Sequence, residues 1–187
     1  LFIDLFPALW AEFTETAVSK HQQRPAMRAS RIFLFFLVED AVIKNEIYAM
    51  EERTFVIFKP DCMEKRLAPD VLARLLKSGL DLVACKMARL DEAVLKEHYA
   101  HIVDKPYYPP LVAFMQRTPV ILAVFEGVDA VAKVRRLLGP TNSREAPSGT
   151  IRGDFGDDTR ENIAHASDSV ENAKIEIARF FKEDELF

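Results

Sequence analysis

Short apolar runs and helical stripes of apolar residues alternate along the chain from Arg53 onwards. The run at 54–58 is almost wholly apolar, with β-branched and aromatic side chains, and predicts a strand buried on both sides. Further strands are predicted at 80–90, 120–125 and 163–166. Apolar residues spaced three and four positions apart predict helices around 71–76 and 130–138. Capping residues predict helices at 91–98 and 169–181, and 111–115 is also predicted to be helical.

The order of these elements predicts the fold class. Strand, helix, strand, helices, strand, helix, loop, strand and helix follow one another, which favours an antiparallel four-stranded sheet with helices packed on one face. We therefore predict an α+β fold of the ferredoxin-like sandwich type. Gly79 and Gly139 are expected to close helices, and Asp168 with Glu171 resembles a capping box. The stretch 140–159 is expected to be irregular, and loops of that length are usually functional or disordered.

The first 49 residues differ in character from the rest, since they contain no glycine. Their longest apolar run, at 32–38, is well short of the roughly 20 residues that span a bilayer. The acidic residues that precede this run do not fit a secretory signal or a transit peptide. We predict a compact domain over 50–187 and an N-terminal extension over 1–49. Three origins of this segment stay open: a natural extension, an artefact or a misjudged translation start.

Composition narrows the classes of function. Hydrophobic residues make up 49% of the chain and charged residues 29%, which suits one globular domain with an appendage. The 25 basic and 29 acidic residues are scattered, so no basic stripe indicates a nucleic-acid partner, and no membrane partner is expected. Cys62 and Cys85 lie outside any CxxC motif, which argues against a disulfide framework or a zinc site. A reducing, cytoplasmic location is the default expectation.

The candidate chemistry centres on a histidine. No P-loop and no GxGxxG motif is present, so phosphate binding has to use side chains. His165 follows a predicted strand and precedes a helix N-terminus, where free backbone amides favour negative charge. Such a ring is a nucleophile when it is neutral and an acceptor holds one nitrogen, and Glu176, two turns into the following helix, is the candidate acceptor. From spacing alone, a packed or surface histidine is the commoner outcome.

A set of motifs favours a functional role for His165 over a packed or surface position. In chain order, these are ERTF with KPD, EHY, DKPYY, LGPTN, GTIRGDF and NIAHASDS, at 52–55 with 59–61, 97–99, 104–108, 138–142, 149–155 and 162–169. In these motifs and their spacing, the chain from about Glu51 to its C-terminus resembles the nucleoside diphosphate kinase family. The last two motifs alone would make the resemblance specific.

The resemblance implies an activity. It implies that the chain transfers the γ-phosphate of a nucleoside triphosphate to a nucleoside diphosphate, by a ping-pong route through a phosphohistidine at His165. It implies Mg²⁺ as the cofactor, held through the nucleotide phosphates with no direct protein ligand. It also implies a homo-hexamer or a homo-tetramer. Because bases are expected to be bound by stacking alone, purines and pyrimidines should both be accepted.

The resemblance also assigns roles to further residues. Glu176 and Ser167 match the groups that orient the histidine, and Tyr99 matches a tyrosine beside it. The residues that match nucleotide-binding positions hold the phosphates, the ribose hydroxyl or the base. They are Arg135, Thr141 and Arg152 for the phosphates, Lys59 and Asn162 for the ribose and phosphate region, and Tyr107 and Leu111, with Thr159 nearby, for the base.

Some residues depart from the family pattern or have simpler interpretations. The departures are Tyr107 for phenylalanine, Ala166 for a frequent glycine, Pro140 for a frequent glutamate, and Glu161 for a basic residue. In the simpler interpretation, Lys59 has no role beyond capping the end of a strand, and Arg135 with Arg136 forms a solvent-exposed helix face. His98 and His101 have no comparable context and are expected to be structural or exposed.

Two other functions stay open at this point. One is a non-catalytic nucleotide-binding or regulatory module with the same fold, although such a module has no need of a nucleophile at His165. The other is a nucleic-acid-binding role for the sheet, which the acidic balance disfavours.

Overall fold

The computed structural model of the chain describes residues 51–187. The predicted N-terminal extension at 1–49 and the start of the domain at Met50 lie outside the described residues. Within 51–187, none of the helices has both the length and the apolar character needed to cross a membrane.

Four strands form one sheet in the order β2–β3–β1–β4, and every neighbouring pair is antiparallel. The strands are β1 (Glu51–Phe58), β2 (Asp81–Ala88), β3 (Val120–Val128) and β4 (Ala164–Ala166). This order, with helical crossovers between the strands, is the ferredoxin-like arrangement and confirms the predicted fold class.

Five of the helices described within 51–187 correspond to predicted helices with shifted ends, whereas the short helices at 60–64 and 151–155 were not predicted. The described helices are α1 (Pro60–Glu64), α2 (Ala68–Lys77), α3 (Glu92–His98), α4 (Tyr108–Met115), α5 (Ala130–Leu138), α6 (Ile151–Phe155) and α7 (Val170–Phe180). Gly79 and Gly139 lie just beyond α2 and α5 with φ of 80° and 81°, as expected of residues that end helices.

Two local predictions were wrong. The stretch 140–159 is not wholly irregular, because α6 begins there after Thr150, whose hydroxyl accepts a hydrogen bond from Gly153 N at 3.1 Å. The N-cap of α7 is Ser169, not Asp168: the Ser169 hydroxyl accepts from Asn172 N, also at 3.1 Å. Asp168 instead accepts a side-chain bond from Asn172 at 2.6 Å.

Helices cover both faces of the sheet, whereas the sequence predicted one covered face. Successive residues of β1 point to opposite faces, so Phe55 and Ile57 join a cluster with α3, α4 and α7. Val56 and Phe58 join a second cluster with α1, α2, α5 and α6. The apolar β1 sequence is therefore explained by burial on both sides.

This packing positions the end of β4. His165 lies opposite Ile57 in the β1–β4 pairing. Helix α7 then crosses the same region, where Phe180 stacks on Phe55 with ring centroids 4.8 Å apart. A residue near the middle of α7 therefore faces the histidine.

Candidate active site

His165 is held beside a carboxylate. Its Nε2 lies 3.1 Å from Oε1 of Glu176 on α7, and 22% of its side chain is exposed. The rings of Phe55 and Tyr99 lie 6.3 and 6.5 Å from it, centroid to centroid. The predicted partnership between His165 and Glu176 is thus present in the structure.

Glu176 is bonded at both of its oxygens. Oε2 accepts a 2.5 Å hydrogen bond from the hydroxyl of Ser167, which is fully buried and itself accepts from Phe55 N at 3.2 Å. Burial raises the pKa of Glu176, but the hydrogen bond and charge of His165 and the bond from Ser167 outweigh it, so the pKa lies below its ordinary value. An ionised carboxylate only accepts, so Nε2 of His165 carries its proton and the lone pair lies on Nδ1.

A cleft of about 950 Å³ opens beside His165. Every predicted site residue except Ser167 lines it, and Ser167 lies behind Glu176. The lining residues that the sequence predicted are Lys59, Tyr99, Tyr107, Leu111, Arg135, Thr141, Arg152, Thr159, Asn162, His165 and Glu176. Cavities of this size are typical of small-molecule sites.

Lys59 is buried in the wall of the cleft. Its Nζ donates to Oδ1 of Asn162 at 2.6 Å and to the carbonyl of Arg160 at 3.3 Å. Burial, and then the charge of Arg152, lower its pKa to about 8. Lys59 does stand at the N-cap of α1, but its side chain makes no capping bond there, so the simpler interpretation of a capping residue does not explain its burial.

Arg152 is fixed by backbone carbonyls. Its Nε, Nη1 and Nη2 donate to the carbonyls of Asn162, Gly139 and Ala164 at 3.3, 2.9 and 2.7 Å. Of the five N–H groups of a guanidinium, three are used and two remain. Burial, and then the charge of Arg135, lower its pKa to about 10, so it stays protonated at neutral pH.

Asn162 joins separate parts of the wall. Its Nδ2 donates to the carbonyls of Thr141 and Thr159 at 2.8 and 2.9 Å, and its Oδ1 accepts from Lys59. Both of its amide hydrogens are therefore committed, and one oxygen lone pair remains for a ligand.

The residue after Asn162 has strained backbone. Ile163 has φ of 72°, a conformation that a β-branched residue rarely adopts. A carboxyl oxygen of Asp61 accepts from its N–H at 2.8 Å, and its carbonyl accepts from Lys59 N at 2.9 Å. These bonds hold the turn that leads from Asn162 into the strand of His165. The sequence pattern contains no signal for this strain.

Another part of the cleft is aromatic and exposed to solvent. Tyr107, at the N-cap of α4, is 54% exposed, and Leu111 lies one turn further along the same helix. Thr159 is exposed beside them at the cleft surface. Tyr99, by contrast, is buried, and burial followed by the charge of Glu176 raises its pKa.

The structure adds residues that the sequence analysis did not select. Of the two expectations for His98, structural or exposed, exposure is excluded: it is buried in the cleft wall, with its ring 4.7 Å from that of His165. Arg179 also lines the cleft, one turn after Glu176 on α7. The helical spacing of Glu176 and Arg179 was a usable signal, because residues three apart share a helix face.

Glu161, which departs from the family pattern by being acidic, forms an ion pair. Its carboxylate binds Arg117 at 2.8 Å, and Arg117 also binds Glu64. The acidic residue therefore ties the segment before Asn162 to neighbouring elements.

The cationic wall of the cleft does not resemble a protein-held magnesium site. Mg²⁺ prefers several oxygen ligands, but this wall presents Lys59, Arg135 and Arg152. The group of potential ligands found among residues 51–187 is His98, His165 and Glu176, with donor atoms within 4.8 Å of one another. Two imidazoles do not suit Mg²⁺.

Comparison with known proteins agrees with this geometry. A family model described as nucleoside diphosphate kinase matches residues 52–186. The chain belongs to the nucleoside diphosphate kinase family. The predicted family and the predicted class of enzyme, a phosphotransferase, are confirmed. The family acts on nucleotides and uses a divalent metal ion.

Relatives of known name cover most of their own length in the match. The chain is 48% identical over 136 residues to the nucleoside diphosphate kinase of Parabacteroides distasonis, covering 73% of this chain and 89% of that one. The structure of the Aquifex aeolicus enzyme matches with a TM-score of 0.71 at 41% identity, over 73% and 99% of the two chains. The structure of the Halobacterium salinarum enzyme in complex with CDP matches with a TM-score of 0.71 at 45% identity, over 73% and 91%.

Proposed function

We propose that the chain transfers the γ-phosphate of nucleoside triphosphates to nucleoside diphosphates through a phosphohistidine at His165. The observation that carries the proposal is the bond between Nε2 of His165 and Glu176, which leaves the lone pair on Nδ1 at a cleft lined by cations. A nucleophile with an orienting acceptor and a phosphate-binding wall is what covalent phosphoryl transfer requires.

In the first half-reaction, Nδ1 of His165 attacks the γ-phosphorus in line with the bond to the β-phosphate. The N–P bond forms as the P–O bond breaks, and the diphosphate leaves with the electron pair of that bond. The proton stays on Nε2, and the positive charge that develops on the ring is stabilised by Glu176. In the second half-reaction, a terminal oxygen of an acceptor diphosphate attacks the phosphorus and the N–P bond breaks.

The cations of the wall bind the phosphates in this proposal. Arg152 has two N–H groups left for phosphate oxygens, and Arg135 and Thr141 line the same wall. Lys59 and the free lone pair of Asn162 suit the ribose hydroxyl and the adjacent phosphate. Because Lys59, Arg152 and Asn162 are held by hydrogen bonds before substrate binds, little reorganisation of these groups opposes the transition state.

The divalent ion of this proposal is Mg²⁺, which neutralises charge on the phosphate oxygens and holds their geometry. The residues present fit an ion that is carried by the nucleotide, because the phosphate-facing wall supplies cationic side chains where a protein-held ion would need carboxylates.

The base lies against Tyr107 and Leu111 in this proposal, with Thr159 nearby. Stacking on an aromatic ring tolerates every base, so broad nucleotide specificity is expected. The tyrosine keeps the stacking surface of the usual phenylalanine.

We also propose a homo-hexamer or homo-tetramer. Strand β2 lies at the edge of the sheet, and Leu82 and Met87 on it are 37% and 63% exposed. An edge strand with exposed apolar side chains is a surface that a second copy can cover.

Residues 50–187 are proposed as the catalytic domain, and the free thiols of Cys62 and Cys85 support a cytoplasmic location.

The test is a two-step transfer assay. Incubation with γ-labelled ATP and Mg²⁺ should give an acid-labile, base-stable phosphoprotein, and GDP or CDP should then remove the label. His165→Ala should abolish both steps, whereas His101→Ala should still be labelled. Label on His165→Ala, or none on the parent protein, would refute the proposal.

A further inference from the structure

A buried histidine and an arginine lie near His165 in the cleft wall and have no part in the proposed transfer. The His98 side chain is 1% exposed, and its ring stands edge-on to that of His165 with an interplanar angle of 78°. Nδ1 of His98 lies 3.3 Å from Nη1 of Arg179 and 4.0 Å from Oε1 of Glu176. Nδ1 of His98 and Nε2 of His165 therefore approach the same carboxylate oxygen.

Two imidazoles beside one oxygen create a competition. A neutral imidazole carries its proton on either nitrogen, and His98 with its proton on Nδ1 would be a donor directed at Oε1 of Glu176. A short movement of that ring would let it replace His165 as the partner of the carboxylate. His165 would then lose the bond that places its lone pair on Nδ1.

Arg179 prevents this form of His98. A guanidinium only donates, so the 3.3 Å contact with Nη1 of Arg179 requires Nδ1 of His98 to accept and its proton to lie on Nε2, which is buried and has no hydrogen-bond partner among residues 51–187. Arg179 is itself held in place by Glu97, which accepts from its Nε at 2.8 Å.

We propose that Arg179 is a positioning residue: by donating to Nδ1 of His98, it reserves Glu176 for His165. The inference rests on the function proposed above. It adds that orientation of the nucleophile depends on a residue whose side-chain hydrogen bonds go to His98 and Glu97 and not to His165.

The competition is between tautomers, not between charge states. Burial, and then the charge of His165, lower the pKa of His98 to about 3, with Arg179 and His101 acting in the same direction and Glu176 in the opposite one. The phenol of Tyr99, whose ring lies 4.7 Å from that of His98, is uncharged at neutral pH because its pKa is raised. His98 is therefore neutral across the working range of pH, and the effect of Arg179 should not vary from pH 6 to 8.

The first test compares two substitutions of Arg179. Arg179→Met removes the donor and should lower kcat about tenfold, the size expected for one lost orienting hydrogen bond, with KM for the nucleotide unchanged. Arg179→Lys keeps a donor and should recover most of kcat. Arg136→Met removes an exposed guanidinium from α5 and serves as the matched control, with no expected change. A change in KM alone, or equal losses in the Met and Lys variants, would contradict the proposal.

A double-mutant cycle tests the route through His98. His98→Phe keeps an aromatic ring but cannot compete for the carboxylate, so adding Arg179→Met to it should lower kcat no further. If the effects of His98→Phe and Arg179→Met on kcat add fully in the double variant, the inference is overturned.

The tautomer of His98 can be determined in the parent protein, so this test does not depend on how the variants fold. Nitrogen-15 NMR should show His98 protonated on Nε2 and unprotonated on Nδ1, and His98 in the opposite form would refute the inference. The parent protein also separates this failure from failure of the main proposal. If the parent transfers phosphate while Arg179→Met matches it, only the role of Arg179 is lost.

Discussion

Two groups of residues that line the cleft, which we call its phosphate end and its histidine end, handle charge in opposite ways. At the phosphate end, Lys59, Arg135 and Arg152 take part in none of the ion pairs found among residues 51–187, and Arg152 is held by neutral carbonyls. At the histidine end, the carboxylate of Glu176 is bonded at both oxygens. Carbonyl dipoles position a cation without cancelling its charge, so the cations stay available for phosphates. The carboxylate is instead committed to one imidazole.

The largest expected effect comes from removing that carboxylate. Glu176→Ala should lower kcat by about 100-fold, because the His165 ring loses the acceptor that fixes its tautomer and stabilises its charge. KM should change little, since the phosphate end is untouched. Steady-state kinetics measure both, with Glu171→Ala on the exposed face of α7 as the control. A variant whose KM rises while kcat holds would show that the two ends are not separate in function.

A smaller effect is expected from Asp61, which supports the turn between the two ends. Asp61→Ala leaves the N–H of Ile163 without its buried acceptor, and should lower the free energy of unfolding by about 2 kcal/mol. Chemical denaturation measures the loss, and Asp81→Ala at the exposed start of β2 should change stability far less. Equal stability of the Asp61 variant and the parent would show that this bond does not hold the strained turn.

The smallest effect is a pH dependence at the phosphate end. Lys59 has a pKa of about 8, so it is charged below that pH and neutral above it. The value of kcat/KM should fall as the pH rises through 8, because kcat/KM reports ionisations of the free enzyme. Lys59→Met should lack this decline, and the exposed Lys96→Met should keep it. A parent profile that is flat from pH 7 to 9 would contradict the assignment.

Much of the site could be predicted because its motifs are local. The apolar run of β1 and the stripes of α2 and α5 follow from periodicity, and the resemblance selected Lys59, Arg152 and His165 together. The sequence predicted burial of β1 on both sides but placed the helices on one face of the sheet, because an apolar strand does not show which helices cover each side. The short helix α6 was missed because its cap, Thr150, lies in a stretch rich in glycine and proline.

The sequence by itself determined the strands, the longer helices and the family, and it selected His165 as the proposed nucleophile, because each depends on residues close together in the chain. Only the tertiary structure decided the contacts between distant residues: Asp61 and Ile163 are 102 positions apart, and His98 and Arg179 are 81 apart. Whether a buried polar group is satisfied depends on the groups that folding brings beside it. The pairing of Glu176 with one of two neighbouring histidines is therefore a property of the packed molecule.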